Sequence, residues 1–162
     1  MWNPDHLSVL NTLMHTTVST TLRESTWAVM AMEAVHLIGL TLLGGPVIIV
    51  GLGAVRVEGL RGLSVATLMT ALQPVWALGL ALMAVSGSLI AVSMPFKYYG
   101  NPAFRWKMAL LVLALIATTG LIRLSRLRTP VPRQRIWQRR LALAAALLWL
   151  GVGFSGRLIG FL

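Results

Sequence analysis

Four long apolar stretches dominate the chain, and short polar or turn-rich segments separate them. They cover about 26–55, 64–94, 103–123 and 138–161. Each is long enough to supply the roughly 20 residues with which a helix crosses the hydrocarbon core of a bilayer. The pattern therefore predicts an all-α integral membrane protein, a four-helix bundle that forms one domain over residues 1–162.

The segment before the first apolar stretch, about 6–23, has a different pattern. Leu7, Leu10 and Met14 recur at helical spacing, and polar residues such as Asn11 fall between them. Such a segment is too polar to cross a membrane, but an amphipathic helix can lie in the interface with its apolar face towards lipid. We expect a short interfacial helix there.

Composition supports an integral membrane protein. Hydrophobic residues make up 57% of the chain and charged residues only 11%, whereas soluble domains carry about a quarter charged residues. The chain has no cysteine, which excludes thiol chemistry, iron–sulfur clusters and disulfides.

The formal net charge of +10 does not indicate a nucleic-acid partner, because the basic residues are concentrated in one place. They lie around the connection between the third and fourth apolar stretches: Arg123, Arg126, Arg128, Arg133, Arg135, Arg139 and Arg140. The positive-inside rule makes this loop cytoplasmic, so both termini are expected on the outer face, N-out and C-out.

Ionisable residues inside the apolar stretches are the candidate functional groups. Each costs about 2.5–3.5 kcal/mol to insert, so its presence indicates a role. We counted depth from the outer helix ends at about 1.5 Å per residue. Glu33, Lys107 and Arg157 then share one outer layer, and His36 lies about 4–5 Å deeper.

Each of these residues also has a purely structural interpretation. Lys107 and Arg157 can extend towards the outer surface with their aliphatic stems in lipid. Glu33 can form a buried ion pair with Lys107 that does no chemistry. His36 can be a neutral, hydrogen-bonded contact between helices.

A haem b site is the alternative that explains these residues together. At a matching depth the second apolar stretch contains Ser86-Gly87-Ser88, and the small Gly87 leaves room for a flat ring. His36 would be the axial ligand of the iron, Lys107 and Arg157 would anchor the propionates, and Glu33 would tune the local charge.

The second axial ligand is left open by the sequence. The ligand could be a second histidine of the chain, a methionine, or His36 of a second copy, and the iron could also be five-coordinate. The histidines concerned are His6 and His15, and the methionines are Met30, Met83 and Met108. Other metal sites fit poorly. The Glu33-Ala-Val-His36 spacing occurs once and no second intramembrane carboxylate accompanies it, whereas di-iron bundles need both.

Several motifs resemble those of known membrane proteins. They are Trp27, Glu33-Ala-Val-His36-Leu-Ile-Gly39-Leu, Gly44-Gly45, Ser86-Gly87 and Asn101-Pro102-Ala-Phe104-Arg-Trp-Lys107. On these motifs the chain resembles, over most of 7–125, an uncharacterised family of small bacterial four-helix membrane proteins, a domain of unknown function. More distantly, it is similar to the HemJ-type protoporphyrinogen oxidases and to copper-resistance-D-like membrane proteins.

The distant resemblance implies a role for two residues. His36 matches an early histidine of those families and Lys107 a later lysine, and HemJ-type proteins are associated with haem b. Arg105 stands where those families carry a second histidine, a departure that bears on two-histidine ligation and on the oxidase activity. The nearer resemblance implies the inner (cytoplasmic) membrane of a bacterium.

Two functions from different classes follow as expectations. The first is a haem-b-associated electron-transfer or anchor subunit of a membrane redox complex. The second is a non-catalytic assembly subunit with a buried Glu33–Lys107 ion pair and no cofactor. Both imply partners beyond the lipid bilayer, either other membrane subunits or further copies of the chain. A transporter is the weakest alternative, because no inverted repeat is visible.

Overall fold

The computed structural model describes residues 11–12, 15–60, 62–95, 98, 101–127 and 131–158. Within them the chain forms helices and no strands: α1 Thr17–Glu24, α2 Thr26–Ala54, α3 Val65–Ser93, α4 Pro102–Ser125 and α5 Pro132–Leu158. The predicted all-α helical bundle is confirmed.

The helices α2 to α5 are long and apolar enough to cross a membrane. They contain 29, 29, 24 and 27 residues, against the roughly 20 that a bilayer requires. These four candidate spans, in the described part of the chain, fit a multi-pass membrane protein.

Polar side chains cap the starts of the spans, as their orphan N–H groups require. The Ser25 hydroxyl accepts from the Ala28 N–H before α2, and the Ser64 hydroxyl accepts from the Thr67 N–H before α3. Asn101 precedes α4, and its side-chain oxygen accepts from the Ala103 N–H at 2.9 Å.

Helix α5 begins at Pro132, six residues before the predicted start at 138. Proline is favourable at the first helical position because its missing N–H would be unpaired there anyway. The Gln134 side chain also folds back to accept from the Val131 N–H at 3.0 Å. The basic segment that we interpreted as loop therefore forms the first turns of the helix.

Helix α1 is shorter than the predicted interfacial helix at about 6–23. It begins at Thr17, after Thr16, whose hydroxyl accepts from the Ser19 N–H. It packs against α2 and α3. Residues 1–10 and 13–14, which include the rest of the predicted helix and His6, lie outside the described part.

The bundle is closed by neighbour contacts in the order α3, α2, α5, α4, with α4 also touching α3. Glycines allow the closest approach. A Cβ on Gly79 of α3 would lie 2.5 Å from the backbone nitrogen of Leu43 on α2. Between α4 and α5, the buried Trp149 indole donates to the Thr118 hydroxyl at 3.0 Å.

Helices α2 and α5 run antiparallel. Gly51, near the end of α2, faces Ala146 in the middle of α5, and Leu40, in the middle of α2, lies beside Gly153 near the end of α5. The bundle therefore has two distinct ends. One end is called the basic end because it carries the arginines that precede Leu141. The opposite end, called the His36 end, carries the start of α2.

Candidate functional site

The His36 side chain is half-buried between α2 and α3, and it forms one hydrogen bond there. Its Nδ1 lies 2.9 Å from the Ser86 hydroxyl oxygen. The same hydroxyl lies 2.6 Å from the Leu82 carbonyl oxygen, one turn earlier on α3. Ser86 itself is buried, with 2% of its surface exposed.

This network assigns the protonation of the His36 ring. A serine hydroxyl has one proton and can donate only once. Because Ser86 donates to the Leu82 carbonyl, it accepts from His36, and Nδ1 carries the imidazole proton. In the neutral ring Nε2 is then unprotonated. Histidines that bind a metal through Nε2 have this tautomer.

Gly87 gives the imidazole its room. A Cβ at this position would lie 3.1 Å from Cε1 of His36 and 3.6 Å from Nδ1. Any side chain larger than hydrogen would press on the ring. We expected this room for a haem ring, whereas in the structure the imidazole of His36 fills it.

Lys107 and Arg157 lie at the level of His36. Leu40 of α2 touches Gly153 of α5. His36 lies four residues, or about one turn, from Leu40 towards the His36 end, and Arg157 lies four residues from Gly153 in the same direction. His36 and Arg157 are therefore at about the same height. The side chain of Lys107 lies along Gly156, and a Cβ added to Gly156 would lie 3.5 Å from Nζ of Lys107.

Lys107 is half-buried and acts electrostatically on the His36 imidazole, whereas Arg157 is exposed. Neither cation has a carboxylate partner in the described part of the chain. The structure thus brings His36, Gly87 and Lys107 together and places Arg157 at their edge.

Glu33 lies about one turn further out on α2, and its side chain is exposed. The expected ion pair with Lys107 is not formed within the described residues. Our depth count assumed that all helices start at one level. Helix α2, however, has several more residues than a bilayer needs, so its first turns extend outwards and His36 rather than Glu33 is level with Lys107.

Glu33 instead lies near Tyr98, in the connection between α3 and α4. Burial raises the pKa of the Tyr98 phenol above its ordinary value, and the negative charge of Glu33 raises this pKa further. The Tyr98 ring also packs against Phe104, with 5.5 Å between the ring centroids. Glu33 therefore belongs to the outer rim of the site.

The candidates for a second axial ligand are spread over the molecule. His15 is exposed before α1, and Met30 and Met108 are also exposed. Met83 is buried and packs against Gly39, about one turn inward from His36. The described residues contain no group of three or more His, Cys, Asp or Glu side chains that could hold a metal ion.

A groove of about 190 Å³ between α2 and α3 borders Ser86 and is otherwise lined by apolar side chains: Ala31, Met32, Val35, Leu82, Val85 and Leu89. Pockets that enclose cofactors usually measure about 300–1,000 Å³. The donor chemistry of His36 thus fits a haem iron, but His36 does not line this groove, and the groove is too small to enclose a porphyrin. A ring bound at His36 would need its other face covered from outside the chain.

Comparison with known proteins places the chain in a family. A model described as a family of unknown function, DUF6644, matches residues 16–162. The chain belongs to this family. No curated protein and no solved structure matches it. DUF6644 membership fits the predicted resemblance to an uncharacterised family, and the more distant resemblance to HemJ-type proteins stays a prediction.

Two features of this DUF6644 site were missed in the sequence. Ser86 was noted as part of a stretch of small residues and not as the hydrogen-bond partner of His36. Gly156, along which the Lys107 side chain lies, was not singled out as part of the site. Depth matching had placed Ser86 and Ser88 near the level of His36, but depth does not tell which of the two hydroxyls faces the ring.

Proposed function

We propose that this DUF6644 protein is a membrane subunit of a redox complex and holds a haem b group at His36. The observation that carries the proposal is the hydrogen bond from Nδ1 of His36 to Ser86. It supports an imidazole that is fixed in orientation and that, in its neutral form, is unprotonated at Nε2. A haem b group supplies one-electron transfer when it is bound.

The charges around His36 support the same proposal. A haem carries two propionates, and two cations at the level of His36, Lys107 and Arg157, lack carboxylate partners in the described residues. A cation half-buried at this depth is costly without an anion. Propionate groups would supply that anion.

The shortage of enclosed space supports an assembly rather than a self-contained haem protein. The groove beside Ser86 measures about 190 Å³, which is too small for a porphyrin, and His36 does not line it. The second face of the ring would then be covered by another subunit or another copy of this chain, which could also supply a second axial ligand.

We further propose that the protein lies in the inner membrane of a bacterium with its basic end in the cytoplasm. The arginines at that end support this orientation through the positive-inside rule. Both termini and His36 would then lie on the outer side, N-out and C-out.

An absorption spectrum tests the haem proposal. The protein is purified from cells supplied with haem, and the Soret band is compared between wild type, His36→Ala and His15→Ala. We expect the band in wild type and in His15→Ala, because His15 lies outside the spans, and its loss in His36→Ala. A folded, colourless wild-type protein would overturn the proposal.

A second candidate is a non-catalytic assembly subunit, and the exposed Glu33 favours it. A carboxylate near the membrane with no cationic partner in the described chain can pair with a cation on a neighbouring subunit. This function predicts that Glu33→Gln releases a co-purifying partner, whereas Glu24→Gln, an exposed carboxylate outside the spans, does not. Retention of every partner by Glu33→Gln would exclude it.

A further inference from the structure

We infer that the basic end of the bundle binds the phosphate groups of anionic phospholipids. Six arginines of α4, α5 and the residue after α4 have exposed side chains here: Arg123, Arg126, Arg133, Arg135, Arg139 and Arg140. Residues 101–162 contain no aspartate or glutamate at all. This arginine surface therefore has no counter-charge within residues 101–162.

The arginines of α5 form two rows at helical spacing. Arg133 and Arg140, seven residues apart, share one side of the helix with Trp137 between them, and Arg135 and Arg139 form a second row. The Arg140 guanidinium lies over the Trp137 ring, 5.6 Å from its centroid. Stacking of this kind holds the guanidinium plane while its edge stays open to an acceptor.

A buried glutamine fixes these rows against α4. Gln138, on the inner side of α5, is 4% exposed and donates from Nε2 to the Leu124 carbonyl at 3.0 Å. This bond ties the first turns of α5 to the last turn of α4, where Arg123 lies. The surface is thus preorganised by the fold rather than carried on a loose loop.

The concentration of positive charge favours an anion at this surface. Like charges three or four residues apart on a helix repel each other, as Arg135 and Arg139 do. Among the described residues, Glu58 is the acidic side chain at this end, and it belongs to the turn between α2 and α3. Phosphate oxygens match arginine because the guanidinium donates two parallel hydrogen bonds.

The position of the rows selects a lipid rather than a dissolved anion. Residues 141–156 form the apolar part of α5 and rise about 24 Å, and the arginine rows begin directly at its end. They therefore lie at the depth of the headgroups. Ile136 and Trp137 are about half exposed among the arginines, and a tryptophan at this depth is typical of the membrane interface.

Lipid binding to the purified full-length protein in detergent tests the inference. The protein is titrated with phosphatidylglycerol or phosphatidylcholine, and bound lipid is measured by native mass spectrometry. We expect retention of phosphatidylglycerol and little retention of phosphatidylcholine. Each arginine contributes about fivefold, so Arg133→Gln/Arg140→Gln should bind phosphatidylglycerol about 30-fold more weakly.

Arg105→Gln is the matched control, because it removes an exposed arginine from the other end of the bundle. It should lose little affinity, whereas Arg140→Gln alone should lose about fivefold. Equal losses in these two variants, or equal binding of both lipids by wild type, would overturn the inference. Displacement of the lipid by millimolar inorganic phosphate would also overturn it, by showing an unspecific anion site.

Discussion

The Nδ1 of His36 donates a hydrogen bond to the hydroxyl of Ser86 across 2.9 Å, and Ser86 in turn donates a hydrogen bond to the Leu82 carbonyl. The bond between these two residues sets the tautomer of the one histidine inside the described spans. The imidazole is fixed in orientation, and in its neutral form Nε2 is left as an acceptor.

Ser86→Ala should weaken haem binding without unfolding the bundle. The substitution removes the acceptor that fixes the His36 tautomer, and loss of such a partner typically costs 10–100-fold in affinity. Titration of the apoprotein with haem, followed at the Soret band, measures it. Ser88→Ala is the control, because its hydroxyl makes the same bond to the preceding turn but is exposed. Equal affinities of the two variants would contradict the assigned role of Ser86.

Gly87→Val should displace the imidazole. Even a Cβ would lie 3.1 Å from Cε1 of His36, and the valine methyl groups need more room still. We expect haem titration to show a loss of at least tenfold in affinity. Gly44→Val provides the comparison, because a Cβ there meets no other helix within 4 Å. Unchanged haem affinity in Gly87→Val would show that the ring position does not matter for binding.

Gly79→Ala and Gly44→Ala should change stability in opposite directions. A Cβ at Gly79 would meet the backbone of Leu43 at 2.5 Å, so α2 and α3 must separate, at a cost of about 1–3 kcal/mol. At Gly44 the added methyl group meets no other helix within 4 Å and removes glycine's entropic penalty, which gains about 0.5–1 kcal/mol. Unfolding in a denaturing detergent measures both. A Gly79→Ala protein as stable as Gly44→Ala would contradict the close helix approach.

Glu33→Gln should lower the pKa of Tyr98. The Glu33 charge disfavours the phenolate, so its removal moves the pKa down towards the ordinary value, while the contribution from burial remains. Phenolate absorbance during an alkaline titration reports it, in a Tyr99→Phe background that leaves Tyr98 as the only tyrosine. An unchanged titration would place Glu33 away from Tyr98 in solution.

The spans were predictable because the apolar runs are long and α2 to α4 are capped at ordinary positions such as Ser25, Ser64 and Asn101. The start of α5 was not, because Pro132 and a basic stretch look like a loop until the Gln134 cap is seen. Hydropathy measures burial in lipid, and it does not detect a helix that continues into the headgroups.

The sequence predicted which residues lie near one another in the site, but not which of them contact each other. His36, Gly87 and Lys107 do lie together, since depth along a helix fixes the layer that a residue occupies. The Glu33–Lys107 pairing failed because depth alone says nothing about which way α2 is rotated or how far its first turns project. The bond to Ser86 depends on the same rotation, which is set by the packing of Gly39 against Met83 and of Gly79 against Leu43.

The most direct test of haem ligation by His36 is pulsed electron paramagnetic resonance of the ferric haem-loaded protein with ¹⁵N-labelled histidine. The chain has three histidines, so single substitutions assign every signal. We predict a hyperfine coupling from an imidazole ¹⁵N bound to iron that persists in His15→Ala and disappears in His36→Ala. A coupling that survives without His36, or haem-loaded wild type with no coupled imidazole nitrogen, would contradict the account.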